Sequence, residues 1–278
     1  MLQDGFSGVN TKHATQEHFN RIIAFRQAIH AHSFGKRRDA LSEALDALCI
    51  TDTLTSFPRL SLSENFRRQW HSRYKALEQG QIHADWLSDY LAQQVPQEGI
   101  QYFSLDGTAW PRPSAHMMDD RQYVYHPTPA VNGGSVCIGY PYSLLDWVPE
   151  ADSRWSLSVS IKRIPGHMTA YEIGTAQIKA LSHSRAAFTE VLDIVAADGH
   201  YGHAGFLRPL QGLHTGIVVR LRQNRVLYGA PVSPEKPSRG RPRVHGKRFD
   251  FKDPATWGEP DECITLEHPT FGQVRLER

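Results

Sequence analysis

The hydrophobic period of the chain changes at Pro96, and that change constrains the fold more than any other feature. Upstream, apolar residues recur as they do on helices. In RRDALSEALDALCI, Leu41, Ala44, Leu45 and Leu48 fall at i, i+3, i+4 and i+7, with Arg37, Asp39, Glu43 and Asp46 largely outward. TSFPRLSLS breaks the pattern, and ENFRRQWHSRYKALEQG resumes it and stops at Gly80. ADWLSDYLAQQV stops before Pro96. Helix is therefore expected from Gln16 to about Gln94, while roughly the first ten to fifteen residues are polar and expected to fray.

Downstream the period shortens to that of strands. IQYFSLDG is a short apolar run ending in Asp-Gly, and GSVCIGY is a second candidate. In WSLSVSIK, Trp155, Leu157, Val159 and Ile161 alternate strictly with Ser156, Ser158, Ser160 and Lys162. Thr169 and Glu172 form a capping box that opens a helix through about Ser182. VLDIVAADG reads as another buried strand closing on Asp-Gly, HAGFLRPLQ as a short helix and TGIVVRL as a strand. The order β, β, β, α, β, α, β implies a mixed α/β sheet, its first three strands a meander, covered by helices. ECITLEH and GQVRLER add short β-like fragments near the end.

Composition excludes several classes. The 278 residues are 40% hydrophobic and 22% charged, enough for one large or two modest globular domains. The 17 Pro and 21 Gly follow no period, which excludes collagen. No apolar run approaches the ~18–20 residues that span a bilayer. The start MLQDGFSGVNTKHATQEHF lacks an apolar signal core, so a cytoplasmic location is expected. Cys49, Cys137 and Cys263 lie far apart and are expected to be reduced and buried. The net charge of +2 hides a basic segment, KPSRGRPRVHGKRFDFK at 236–252, with seven Lys or Arg against Asp250. Interleaved Pro and Gly disfavour helix there, so the segment is either a solvated linker or laid along a polyanion.

Two residues lead the candidates for chemistry. Asp106 ends the first expected strand of the sheet and Asp198 the fourth. If those strands are neighbours, both carboxylates emerge at one sheet edge. Mg²⁺ takes one or two protein carboxylates plus substrate phosphates, and two such ions cleave phosphodiesters. The following glycines would let a substrate backbone approach. Asp-Gly after a strand is also an ordinary turn, and for either Asp alone that reading is favoured; for the pair, metal binding leads. Asp198, His200 and His203 offer a weaker, zinc-like alternative, since their spacing fits no common zinc motif and His30, His32, His167 and His183 are scattered. No Gly-x-Ser-x-Gly elbow, P-loop or GxGxxG is present. Aromatics in DRQYVYHPTP and YPYSLLDWVPE could stack on bases, but core packing is favoured for Trp147 and Trp155.

The sequence resembles the DDE transposases of bacterial insertion sequences, whose catalytic fold is RNase H-like. The resemblance runs through FRQAIHAHSFGKRRDALSEALDALC, SFPRLSLSENFRRQWHSRYKALEQGQI, YFSLDGTAWPRPSA, DRQYVYHPTP, IGYPYSLLDWVPE, WSLSVSIKRIP, VAADGHYG and RGRPRVHGKRFDFKDPATWGEPDE, in order from about residue 25. It implies a helical DNA-binding region at 1–95, a catalytic core at 96–225 and the start of a basic, β-rich insertion at 226–278. It implies Asp106 and Asp198 as catalytic ligands of Mg²⁺ or Mn²⁺, and double-stranded DNA (transposon ends and target) as partner. Arg239, Arg241, Arg243, Lys247 and Arg248 become candidate DNA contacts. A homodimer on the DNA and a nucleoid-associated, cytoplasmic location are compatible with it. The family's third acid, a Glu on a helix beyond the insertion, has no counterpart: Glu259, Glu262, Glu267 and Glu277 lie on no helical pattern. The Glu is expected beyond residue 278, which makes the chain a C-terminally truncated transposase, binding DNA but impaired or inactive in catalysis. The alternatives are a non-catalytic DNA-binding regulator and a His-ligated metal hydrolase.

Overall fold

The computed structural model describes residues 5–53, 56, 58–127, 135–149, 155–232, 240, 243–268 and 270–277, with side chains from residue 15 onward. Four helices come first: α1 (Gly5–Ala28), which continues into a π-helical turn at Ile29–Ser33, α2 (Arg38–Ile50), α3 (Trp70–Gln79) and α4 (Ala84–Gln94). Helical backbone thus begins at Gly5, inside the stretch expected to fray. No proline interrupts Gly5–Ala28, and extending an existing helix costs far less than nucleating one.

On α2 the buried stripe is Ala40, Leu41, Ala44 and Ala47, while Leu45 and Leu48 are exposed. The helix turns its alanines inward, which permits close approach. A Cβ on Gly80 would lie 2.9 Å from Leu41 Cδ1 and 2.0 Å from the Ala76 carbonyl oxygen, so the helix stop at Gly80 tolerates no side chain. α3 starts at Trp70, not near Glu64. Arg73 explains this: its Nη2 donates to the Leu60 carbonyl at 2.6 Å and its guanidinium lies 3.7 Å from the Phe66 ring centroid, holding the preceding segment in turns.

The sheet contains β1 (Gly99–Pro111), β2 (Gln122–Tyr125), β3 (Val136–Val148), β4 (Leu157–Arg163), β5 (Val191–Ala197) and β6 (Thr215–Val219). Its order is β2-β3-β1-β5-β6, with β4 also on β3. β3 pairs antiparallel with β1, β2 and β4, while β1–β5 and β5–β6 are parallel. Helices α5 (Ala170–Ser184) and α6 (Ala204–Leu207) make the crossovers. This is the mixed α/β architecture and the β, β, β, α, β, α, β order expected from the sequence, with β2 added.

Strict alternation in β4 fails at one point. The β3–β4 register shifts between Leu145 and Asp146, so Val159 and Ser160 are both buried while Ile161 is exposed and Trp155 lies outside the strand. A bulge inserts one residue and flips the following side chains to the other face. It turns Ser160 toward α5, where Gln177 Nε2 donates to its hydroxyl and carbonyl oxygens, both at 3.1 Å.

The capping box is formed as read: the Thr169 hydroxyl accepts from the Glu172 N–H and the Glu172 carboxylate accepts from the Thr169 N–H. The core lies between α5, α6 and one sheet face, around Phe103, Leu105, Leu145, Val195, Ile178 and Phe206. A second cluster, Ile29, Phe34, Ala40, Leu41 and Ala76, joins the helices. α4 belongs to both: Trp86, Leu87 and Tyr90 pack on the helical cluster, and Ala92 with Val95 on the sheet cluster. The buried Arg185 locks that junction. It grips Asp193 through two bonds of 2.8 and 3.0 Å and donates to the carbonyls of Ala92, Val95 and Pro96.

Beyond the sheet, β7 (Val226–Tyr228) pairs with β8 (Arg248–Asp250), and β9 (Cys263–His268) with β10 (Gly272–Glu277). The three cysteines are free, but Cys49 and Cys263 are exposed and Cys137 half-buried, because Cys49 faces out on the last turn of α2 and Cys263 opens a hairpin strand. No described helix is long and apolar enough to cross a membrane.

Candidate catalytic site

The parallel β1–β5 pairing ends on the partners Leu105 and Ala197. The next residues are Asp106 and Asp198. Asp106 does not end its strand: β1 runs on to Pro111 against β3, with Asp106 opposite Leu144, so Asp-Gly here is strand and not turn. Only β5 stops. Asp198 opens the turn expected of Asp-Gly, its Oδ1 accepting from the His200 N–H at 2.9 Å and its carbonyl from the Tyr201 N–H at 3.1 Å. Asp106 Oδ1 accepts from the Gly107 N–H at 2.7 Å. Among the described residues neither carboxylate is in an ion pair, and each Oδ2 is left without a hydrogen bond.

Both aspartates line one cleft of about 330 Å³, together with Tyr123, Tyr125, Tyr142, His200 and Tyr201. Tyr123 and Tyr125 are 84% and 67% exposed, projecting from β2 while Val124 between them is buried. The alternation in RQYVY carries the signal for this strand. Tyr201 closes the cleft floor, packed on Phe206 with ring centroids 5.0 Å apart. Burial pushes its phenol pKa up, the neighbouring Ser143 hydroxyl pulls it partly back, and the charges of Asp106 and Asp198 raise it further.

Two carboxylates with free oxygens in an open cleft are the donor set that Mg²⁺ or Mn²⁺ accepts alongside substrate oxygens, so these residues fit such an ion. Among the described residues no group of three His, Cys, Asp or Glu side chains could hold a metal. Asp198, His200 and His203 are not gathered into such a group: His203 packs edge-on against Tyr171 at 4.7 Å and His200 against Tyr201 at 5.7 Å, as aromatic neighbours. Glu267 and Glu277 lie on the β9–β10 hairpin, Glu259 and Glu262 before it, and none lines the cleft.

A family model for the DDE superfamily endonucleases matches residues 30–277. The chain belongs to that family. No curated protein matches the sequence. Two solved structures are similar to it. One is a piggyBac transposase synaptic complex with hairpin DNA, 16% identical, with a TM-score of 0.35 over 74% of this chain and 45% of that one. The other is a pre-cleavage Mos1 transpososome, 13% identical, with a TM-score of 0.23 over 66% and 59% of the two chains. The chain spans about half the length of these structures.

Of the basic candidates, Arg243 and Lys247 are exposed, and Arg248 begins β8 and pairs with Asp250 at 2.6 Å. Arg239 and Arg241 lie outside the described residues.

Proposed function

We propose that this chain is a transposase that cleaves and joins DNA phosphodiesters at transposon ends, with Asp106 and Asp198 as the carboxylates that hold Mg²⁺ or Mn²⁺. The observation that carries this is the end of the β1–β5 register, which leaves one aspartate within β1 and one just past the end of β5, both lining a shared cleft. Asp106 and Asp198 would hold the ions, whose chemistry when bound would be Lewis acidity toward water and the leaving oxygen. The chain's own residues set the geometry. Asp106 stands within a strand paired on both sides up to that point, and the Gly107 N–H fixes its carboxylate. The space above Gly107 is open, the nearest atom to an added Cβ being the Tyr142 carbonyl oxygen at 3.9 Å, so a DNA backbone can approach. Tyr123 and Tyr125 offer exposed rings for base stacking. In this reading residues 1–95 and 226–278, including Arg239, Arg241, Arg243, Lys247 and Arg248, contact DNA, and residues 96–225 form the catalytic core.

The test is nicking of supercoiled DNA by the full chain in Mg²⁺ or Mn²⁺. With two carboxylates in the cleft the nicking should be weak, and it should disappear in Asp106→Ala and Asp198→Ala; nicking that survives Asp106→Ala would rule out the site. A second reading, a non-catalytic DNA-binding regulator, draws support from the two-carboxylate site, which no third acid joins among the described residues. It predicts salt-sensitive, metal-independent DNA binding without nicking.

A further inference from the structure

Asp198 also lines a second groove of about 640 Å³, together with Gly199, Arg220, Arg222 and Gln223. We propose that Arg220 and Arg222 bind backbone phosphates here, on the DNA strand whose phosphodiester lies over the carboxylate pair; this rests on the transposase reading above.

Three observations carry it. Arg220 and Arg222 are exposed, and among the described residues neither forms an ion pair or a side-chain hydrogen bond. Their backbone is fixed against the catalytic turn: the Arg220 N–H donates to the Ala197 carbonyl at 3.1 Å, extending the β5–β6 pairing past its last partners, Ala197 and Val219. The glycines of the turn make this contact possible. A Cβ at Gly199 would lie 3.2 Å from Arg222 Cγ, and one at Gly202 only 2.8 Å from the Arg220 carbonyl oxygen. The turn that presents Asp198 therefore also seats two unpaired guanidinium groups beside it. Guanidinium forks match phosphate oxygens, and two of them outweigh the single carboxylate in the groove wall.

The test measures binding of the full chain to a labelled duplex of arbitrary sequence, with chelator present, over a series of salt concentrations. R220Q/R222Q should flatten the slope of log K against log salt by about 1.8, roughly 0.9 for each phosphate contact. R220K/R222K, which keeps the charges, should restore most of that slope. Thermal unfolding of both variants should match wild type, since the side chains are exposed. If wild type binds with a steep slope and R220Q/R222Q binds with the same slope, the groove assignment is overturned and the transposase reading stands. If wild type shows no salt-dependent binding, the transposase reading fails and the groove assignment with it.

Discussion

Leu105 of β1 lies opposite Ala197 of β5 in parallel register, and the residue after each is an aspartate. Adjacent strands are about 4.8 Å apart, so the two carboxylates start from neighbouring backbone positions. β1 stays in the sheet beyond this point and β5 leaves it, which makes Asp106 the fixed partner and Asp198 the one carried by a turn.

Arg185 holds the helical region to the core through its bonds to Asp193 and to the Ala92, Val95 and Pro96 carbonyls. Arg185→Met should cost about 3–5 kcal/mol in urea unfolding, because Asp193 is left charged and buried. R185M/D193L should recover part of that loss, since an apolar pair strands no charge while the Ala92, Val95 and Pro96 carbonyls still lack their donor.

The raised pKa of Tyr201 makes a prediction at alkaline pH. A group whose folded pKa exceeds its unfolded value contributes stability that is complete below the unfolded pKa, about 10, and lost as pH rises through the folded one. Stability should therefore fall more steeply above about pH 10 in wild type than in Tyr201→Phe, as read by denaturant midpoints across that range.

Asp120 predicts the opposite limb. The Gly166 N–H, 2.9 Å away, and then the Arg163 guanidinium hold its carboxyl below the ordinary range. Its contribution is present above about pH 4 and lost as pH falls through the folded value. Asp120→Asn should flatten the acid limb of the unfolding curve. Asn tolerates the positive φ of 49° at this position, so the substitution tests the charge and not the backbone.

The capping box opening α5 gives a local test. Thr169→Ala should lower stability by about 1 kcal/mol in the same assay, because the Glu172 N–H loses its acceptor.

What the sequence reveals here is what neighbouring residues decide. Thr169 and Glu172 are three apart and name their own cap; Leu157 and Val159 announce a strand; Asp106 and Asp198 each follow a strand-like run. What it conceals depends on distant partners. The bulge that exposes Ile161 is set by β3, the burial of Ala47 instead of Leu48 by the helices packed on α2, and the length of β1 by continued pairing as far as Gly139. Arg185 meets carbonyls about ninety residues earlier in the chain. Arg220 and Arg222 look like unremarkable strand-end residues until the turn after Asp198 is laid against them.

Mn²⁺ binding to the full chain without DNA, followed by the loss of the free-ion paramagnetic resonance signal, tests the carboxylate pair most directly. Saturable uptake is expected for wild type, weakened about tenfold or more in Asp106→Asn and in Asp198→Asn alike. Equal uptake by all three proteins would contradict a metal site built on Asp106 and Asp198.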